Sequence, residues 1–278
     1  MEIICARVLG YCMGVRRAVE SAEKALNSSE EKIYTLGPLI HNPVVLNSLE
    51  KRGLSILKED DIQHLKEKST VIIRAHGTTP GVLDSLKNGG HTVIDATCPR
   101  VHLSQKRAAE YAEKGFTVII AGDRNHGEVV SIAGYAKKNA VVIENTDEAQ
   151  ALDVPQKSVL IAQTTFSPEA FEKISDVLKE KNPELVVFNS ICTATMERQT
   201  ALKEIAGKAD GILIIGGKTS ANTRRLFLAA EKLFPRAALI EDADGIPEEF
   251  FSMKKVALTA GASTPDAVIE AVKNALHL

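Results

Sequence analysis

The sequence lacks several features that mark specialised classes of protein. It contains no tryptophan, aromatic residues make up 4% of it, and the net charge is −2. A chain without a basic excess is a poor general binder of nucleic acid, because neutralising phosphates takes lysine and arginine. No apolar run approaches the roughly 20 residues that are needed to cross a bilayer. We therefore expect neither a nucleic-acid partner nor a membrane partner.

Other familiar signals are absent as well. The N-terminus has neither the basic start nor the long apolar segment of a secretory signal, so we expect a cytoplasmic protein with reduced thiols. The four cysteines contain no CxxC pair, which disfavours a zinc finger or ribbon. No glycine-rich turn has the spacing of a dinucleotide fingerprint or a P-loop, which disfavours nicotinamide and nucleoside triphosphate ligands.

What the sequence does contain is a threefold pattern around three of its cysteines. Cys12, Cys98 and Cys192 each follow an apolar, β-branched run and precede an amphipathic helical pattern. Cys5 lies inside an apolar run with no helix after it, and we expect it to be a core residue. Scattered cysteines of this kind are commonly small buried hydrophobic residues, so the shared context is what distinguishes the three.

The segments between these cysteines repeat the same order of elements. Each third of the chain contains three strand–turn–helix patterns, which predicts three modules at 13–97, 98–191 and 192–278. Residues 1–12 are expected to pack near the third module at the centre. Strands that alternate with helices indicate an α/β fold with parallel sheets. If the modules meet about a pseudo-threefold axis, their turns face one central cavity.

Polar residues are concentrated in the turns that lead from strands into helices. Ligands of open α/β sheets bind beyond the carboxyl ends of the strands, where these turns lie. In chain order the candidate residues are Cys12, His41, His76, Cys98, His126, Glu128, Thr164, Cys192, Ser220, Asn222 and Ser263.

The three cysteines are candidate metal ligands. A thiolate at the start of a helix is stabilised by the helix dipole and by free N–H groups. Soft sulfur ligands select iron–sulfur clusters, zinc or copper(I). A [4Fe–4S] cluster normally takes four cysteines, so three would leave one iron without a protein ligand and open to substrate. Zinc with a fourth ligand, or no metal at all, remains an alternative.

The remaining turn residues suggest an anionic ligand and proton transfer. His41, His76 and the amides at the helix starts suit a phosphate or diphosphate, and Glu128 beside His126 suits a tuned proton donor. Each has a structural alternative. A histidine after a strand is often a surface or capping residue, Glu128 could be a first-turn acid, and three hydroxyl residues could be plain N-caps: Thr164, Ser220 and Ser263.

The segments that carry these residues resemble the 4-hydroxy-3-methylbut-2-enyl diphosphate reductase (LytB) family. The resemblance runs nearly from end to end and rests on nine motifs in order, each of which is weak alone. They are GYCMGVRRAVE, GPLIHNP, RAHG, DATCP, HGE, QTT, ICTAT, SANTRRL and TAGAST.

The resemblance implies a trefoil-like fold of three pseudo-repeated α/β modules with parallel sheets around a central cavity. It also implies an oxygen-sensitive [4Fe–4S] cluster held by Cys12, Cys98 and Cys192, with one iron not ligated by protein. The implied reaction is the last step of the methylerythritol phosphate route to isoprenoids. An allylic hydroxyl is removed reductively from the diphosphate substrate, which gives isopentenyl diphosphate and dimethylallyl diphosphate.

The same resemblance implies roles for the other turn residues. Glu128 would be the proton relay, with Thr164 and His126 binding the substrate beside its hydroxyl group. Ala221 departs from the family pattern, which often has a second serine there, and we expect a modest effect on affinity. The residues that would hold the diphosphate are His41, His76, Ser220, Asn222 and Ser263.

The implied partners are few. Electrons would come from a ferredoxin or flavodoxin, and we expect a monomer or a weak dimer. Two rival functions stay open at this point. One is a hydro-lyase that uses a three-cysteine cluster without net electron transfer, and the other is a phosphate-binding or sensing protein without catalysis.

Overall fold

The computed structural model describes residues 1–277. Short strands alternate with helices throughout this part of the chain. The twelve strands are β1 (Glu2–Cys5), β2 (Ile33–Leu36), β3 (Leu54–Leu57), β4 (Thr70–Ile73), β5 (Thr92–Asp95), β6 (Thr117–Ala121), β7 (Ala140–Ile143), β8 (Ser158–Ala162), β9 (Val186–Phe188), β10 (Gly211–Ile215), β11 (Ala237–Ile240) and β12 (Lys255–Ala260). The ten α-helices are α1 (Met13–Ser28), α2 (Pro43–Lys51), α3 (Pro80–Asn88), α4 (Pro99–Glu113), α5 (Gly127–Ala136), α6 (Thr146–Ala151), α7 (Pro168–Lys181), α8 (Thr193–Glu204), α9 (Ala221–Glu231) and α10 (Asp266–His277).

The strands form three sheets of four strands, and the pairings between them are parallel. The strand orders are β3-β2-β4-β5, β7-β6-β8-β9 and β11-β10-β12-β1. In the first two sheets the four strands follow one another along the chain, and they have the same spatial order. The third sheet has this order too, except that its fourth position is filled by β1 from the start of the chain. The predicted α/β class with three pseudo-repeated modules and parallel sheets is therefore confirmed.

The central strands are buried on both faces, as parallel sheets with helices on either side require. In β10, for example, all five residues are buried. Ile212 and Ile214 pack into a cluster with residues of α8 and α9, whereas Leu213 and Ile215 pack into a cluster with residues of α10. This alternation follows from the two-residue period of a strand, which turns successive side chains to opposite faces.

Each sheet has one more strand than the sequence pattern predicts. The additional strands are β3, β7 and β11, each four residues long and paired with a single neighbour at the sheet edge. An edge strand is only partly covered, so its apolar run is short and its flanks are polar. The run AVVI in β7, for example, is followed directly by the polar segment ENTDE, and the two together resemble a loop more than a strand.

β1 is separated from its sheet partner by almost the whole chain. It pairs with β12 from Glu2 opposite Lys255 to Cys5 opposite Leu258. It thereby occupies the place that β5 and β9 occupy in the other two sheets. As a result, each of the three sheets has its own strand leading toward one cysteine: β1 toward Cys12, β5 toward Cys98 and β9 toward Cys192.

The chain divides into two compact units. The first comprises Met1–Arg16, Ile40–Arg52 and Thr193–Leu278, and it contains the sheet of β11, β10, β12 and β1. The second comprises Arg17–Leu39 and Gly53–Cys192, and it contains the other two sheets. Among residues 1–277, no helix is both long enough and apolar enough to cross a membrane.

Candidate active site

The three repeated cysteines lie immediately before helices. Cys12 precedes α1, Cys98 precedes α4 and Cys192 precedes α8. None of the three forms a disulfide, and each is of intermediate exposure. Cys98 is the N-cap residue of α4, and Pro99 opens that helix. The first turn of a helix has N–H groups without a partner inside the helix, so a thiolate near this end is electrostatically favoured.

The backbone holds each cysteine in the same way. In all three cases the cysteine N–H donates to the carbonyl of the residue two positions beyond the end of β4, β8 or β12. The repeat is therefore one of hydrogen bonding as well as of sequence. The three bonds are Cys12 N to Ala262 O at 3.0 Å, Cys98 N to Ala75 O at 3.0 Å and Cys192 N to Thr164 O at 2.8 Å.

The expectation that Cys5 is a core residue is wrong. Cys5 is an exposed free thiol at the end of β1. The reason is that β1 is an edge strand, in which only the two middle residues, Ile3 and Ile4, are partly covered. Cys5 therefore differs from the other three cysteines in its surroundings and in its place in the repeat.

The candidate residues fall into two groups according to the unit that carries them. Cys12, His41, Ser220, Asn222 and Ser263 belong to the first unit. The second unit carries the others, which are His76, Cys98, His126, Glu128, Thr164 and Cys192. The joining of Cys12 with the other two cysteines in one metal site stays a prediction.

In the second unit, Glu128 and Thr164 form a buried pair. Glu128 lies in the first turn of α5 and is 1% exposed, and Thr164 is 7% exposed. The Thr164 N–H donates to Glu128 Oε1 at 2.6 Å, and the Thr164 hydroxyl donates to Oε2 at 2.7 Å. Such burial and bidentate pairing exceed what a first-turn acid needs for the helix dipole alone.

Thr164 connects this acid to one of the cysteines. Its carbonyl oxygen accepts the N–H of Cys192, while its own N–H and hydroxyl donate to Glu128. It does not cap α7, because the side chain that caps that helix belongs to Ser167. The alternative of Thr164 as a plain N-cap is therefore wrong.

His126 and His76 lie side by side in the same unit. His126 caps α5, and its Nδ1 accepts the N–H of Glu128 at 3.2 Å. A ring nitrogen that accepts a hydrogen bond carries no proton, so the proton of this ring is on Nε2. The ring of His76 meets that of His126 edge to face, with centroids 4.7 Å apart. His126 is thus a capping residue and, at the same time, a neighbour of both Glu128 and His76.

A buried chain of hydrogen bonds joins three segments of this unit. Gln105 Nε2 donates to Ser131 Oγ at 2.6 Å, and that hydroxyl donates to the carbonyl of Thr78 at 3.1 Å. Gln105 lies on the helix that follows Cys98, and Ser131 lies on the helix that contains Glu128. The three residues were not predicted, because contacts across 26 and 53 residues leave no local pattern in the sequence.

In the first unit, His41 lies between two hydroxyl residues. Its carbonyl oxygen accepts the Ser263 hydroxyl at 3.3 Å, and its Nδ1 is 3.4 Å from Thr219 Oγ1. The fold therefore brings together two predicted residues that are 222 positions apart. Thr219 was missed, although its position directly before Ser220 was a usable signal.

Ser220 and Asn222 open α9 in this unit. Ser220 is the N-cap, and its Oγ accepts the N–H of Thr223 at 3.4 Å, so the capping alternative is correct for this residue. Asn222 is 6% exposed, and its Nδ2 has no hydrogen-bond partner within residues 1–277. An unpaired buried donor costs roughly 1–3 kcal/mol. An acceptor on a ligand would remove that cost.

Known proteins with similar sequences are numerous and consistently named. A 4-hydroxy-3-methylbut-2-enyl diphosphate reductase of Treponema denticola is 46% identical, over 99% of this chain and 99% of the relative. A protein of the same name from Aquifex aeolicus is 39% identical, over 100% of this chain and 96% of the relative.

Solved structures of the same kind share the fold. The E-1-hydroxy-2-methyl-but-2-enyl-4-diphosphate reductase of Plasmodium falciparum superposes with a TM-score of 0.92 at 29% identity, covering 98% of this chain and 87% of that one. An (E)-4-hydroxy-3-methyl-but-2-enyl diphosphate reductase, described as the terminal enzyme of the non-mevalonate pathway, gives 0.73 at 38% identity, covering 100% and 99%. The model of the LytB protein family matches residues 3–277, and the chain belongs to that family.

Proposed function

We propose that this chain reduces (E)-4-hydroxy-3-methylbut-2-enyl diphosphate to isopentenyl diphosphate and dimethylallyl diphosphate, the last step of the methylerythritol phosphate pathway. The relatives named above support the activity. The observation that carries the assignment to this chain is the buried pair of Glu128 and Thr164. The reaction consumes two electrons and two protons. The carbon–oxygen bond breaks, a carbon–hydrogen bond forms, and the hydroxyl group leaves as water.

We further propose that Cys12, Cys98 and Cys192 hold a [4Fe–4S] cluster in which one iron has no protein ligand. The donor set fits this group, because the three cysteines are outside disulfides, partly buried and placed directly before helices. When bound, the cluster supplies the electrons one at a time and a Lewis-acidic iron. An exposed thiol such as that of Cys5 is unsuited to the same task.

The diphosphate group is assigned to polar side chains of the turns. The support for the first unit is the unpaired Nδ2 of buried Asn222 and the hydroxyl of Ser263 next to His41. In the second unit, His76 and His126 offer imidazole donors side by side. Ala221 offers only a methyl group at a position where a hydroxyl could bind phosphate oxygen. Binding energy from the diphosphate orients the rest of the substrate.

Proton transfer to the leaving oxygen is assigned to Glu128, acting through the hydroxyl of Thr164. The support is the 2.7 Å contact between that hydroxyl and Glu128 Oε2. A protonated Glu128 would donate to Thr164 Oγ1, which could then pass its own proton onward. His126 helps to hold Glu128 in place, because its Nδ1 accepts the backbone N–H of that residue. The Nε2–H of His126 is not used in this bond. Thr164 and His126 thus position both the acid and the substrate hydroxyl.

The partners and the setting are part of the same proposal. We propose that a ferredoxin or flavodoxin delivers single electrons to a cytoplasmic enzyme that acts as a monomer or a weak dimer. Neither nucleic acid nor a membrane takes part.

An anaerobic assay with the diphosphate substrate and a chemical reductant tests the proposed function. We expect both isoprenoid diphosphates to form, with two electrons consumed for each product molecule. Product formation without consumption of reductant would instead indicate a hydro-lyase. Binding of the substrate without any product, in protein that contains its full metal content, would favour a binding or sensing protein and would contradict the proposal.

A further inference from the structure

Arg74 is a partly buried cation in the second unit. It lies one residue beyond β4, two positions before His76. Its guanidinium group fits between the backbone of two glycines. A methyl group built on Gly37 would come within 2.9 Å of Nη1, and one built on Gly127 within 2.9 Å of Cζ. Gly127 is the first residue of α5, between His126 and Glu128.

The charge of Arg74 has no counter-ion in its immediate surroundings. Within residues 1–277, its guanidinium makes neither a hydrogen bond nor an ion pair, and Glu59 is the acid that acts on it from a distance. Burial lowers the pKa of Arg74, and the carboxylate of Glu59 only partly offsets that effect. An arginine stays charged even so. A partly buried cation without an ion-pair partner of its own can still bind an anion that arrives from outside.

We propose that Arg74 is a specificity-determining residue, a fixed positive charge packed against the turn between His126 and Glu128 that makes the site favour a diphosphate over a monophosphate. This inference rests on the proposed function and adds a residue to it. Its basis is the packing of the guanidinium against Gly127 at the start of α5, where the helix dipole has the same sign. Two neighbouring positive sources of this kind stabilise a diphosphate more than a monophosphate, because the interaction grows with the charge of the ligand.

The two glycines explain why arginine suits this place. The flat guanidinium group packs closely against backbone that bears no side chain, and it stays charged in a place that is partly shielded from water. Arg74 is not assigned a direct contact with the substrate. It acts through space, and the histidines and the first-unit residues provide the hydrogen bonds.

Calorimetric binding of pyrophosphate and of phosphate to the anaerobically purified holoprotein tests the inference. Arg74→Met should weaken pyrophosphate binding on the order of tenfold and phosphate binding several-fold less, with iron content unchanged. Arg74→Lys should keep most of the preference. Glu59→Gln, which removes the exposed opposing charge, should tighten pyrophosphate binding about twofold at low salt.

An unchanged ratio of pyrophosphate to phosphate affinity in Arg74→Met would overturn the inference. If that variant does not fold, Glu59→Gln decides: pyrophosphate affinity equal to that of the parent would overturn it as well. If the parent protein turns over its substrate and neither substitution alters pyrophosphate binding, only the role of Arg74 is contradicted. A parent that binds no pyrophosphate at all would contradict the proposed function itself.

Discussion

Glu128→Gln is expected to lower turnover by about 10²- to 10⁴-fold, the usual contribution of a positioned general acid. The substitution is unusually clean here. A glutamine Oε1 can still accept the Thr164 N–H, and its Nε2 can donate to Thr164 Oγ1, so both contacts with Thr164 can be kept. What the amide cannot do is carry the proton. Cluster content and affinity for the diphosphate should therefore stay close to those of the parent.

Single-turnover kinetics with chemically reduced protein measure this effect without interference from electron delivery. Glu180→Gln is a matched control, since it makes the same chemical change at an exposed position of α7 in the same unit. The control should turn over at the parental rate. Should Glu128→Gln also do so, the proton-donor assignment would be wrong. A variant that loses its cluster would likewise contradict the expectation that the amide preserves the site.

Cys98→Ser is expected to abolish turnover and the visible absorbance of the cluster together. Serine keeps the size and the N-cap capability of the residue, and a hydroxyl is in fact a better cap than a thiol. The backbone bond from residue 98 to Ala75 does not involve the side chain and should survive. The helix should therefore form as before, so loss of the cluster reports on the sulfur atom rather than on folding.

Cys5→Ser is the matched control for this experiment. It removes a sulfur atom from the same chain, but one that is exposed at the end of β1 and outside the repeat. Visible absorbance and turnover should match those of the parent. A Cys98→Ser protein that kept a complete, active cluster would refute the ligand role of Cys98. A Cys5→Ser protein that lost its cluster would show that the choice among the four cysteines is wrong.

The sequence predicts the sheets well where a strand is buried on both faces. GILII in β10 has no polar side chain, and SVLIA in β8 has one, Ser158; such runs are typical of parallel strands that are covered on both faces. The edge strands carry a weaker signal, because solvent on one side permits polar neighbours and shortens the apolar run. β3, β7 and β11 were missed for that reason, and the exposure of Cys5 on β1 has the same cause.

For the candidate site, the sequence indicates which turns matter but not which side chains meet. Glu128 and Thr164 were both selected because they lie in equivalent turns, yet their contact spans 36 residues and depends on how β6 and β8 pair. The hydrogen bonds among Gln105, Ser131 and Thr78 are even harder to predict from the sequence. Helical residues of these types are common, and only packing of α4 on α5 brings them together.

The central claim is that three cysteines hold one iron–sulfur cluster that has an iron without a protein ligand. Iron and inorganic sulfide analysis of anaerobically purified protein, combined with Mössbauer spectroscopy, tests it most directly. We predict about four irons and four sulfides per chain, with about one iron in four spectroscopically distinct and altered by added substrate. The claim would be contradicted by zinc in place of iron or by the absence of sulfide. It would also be contradicted by four equivalent irons whose Mössbauer spectrum does not change when substrate is added.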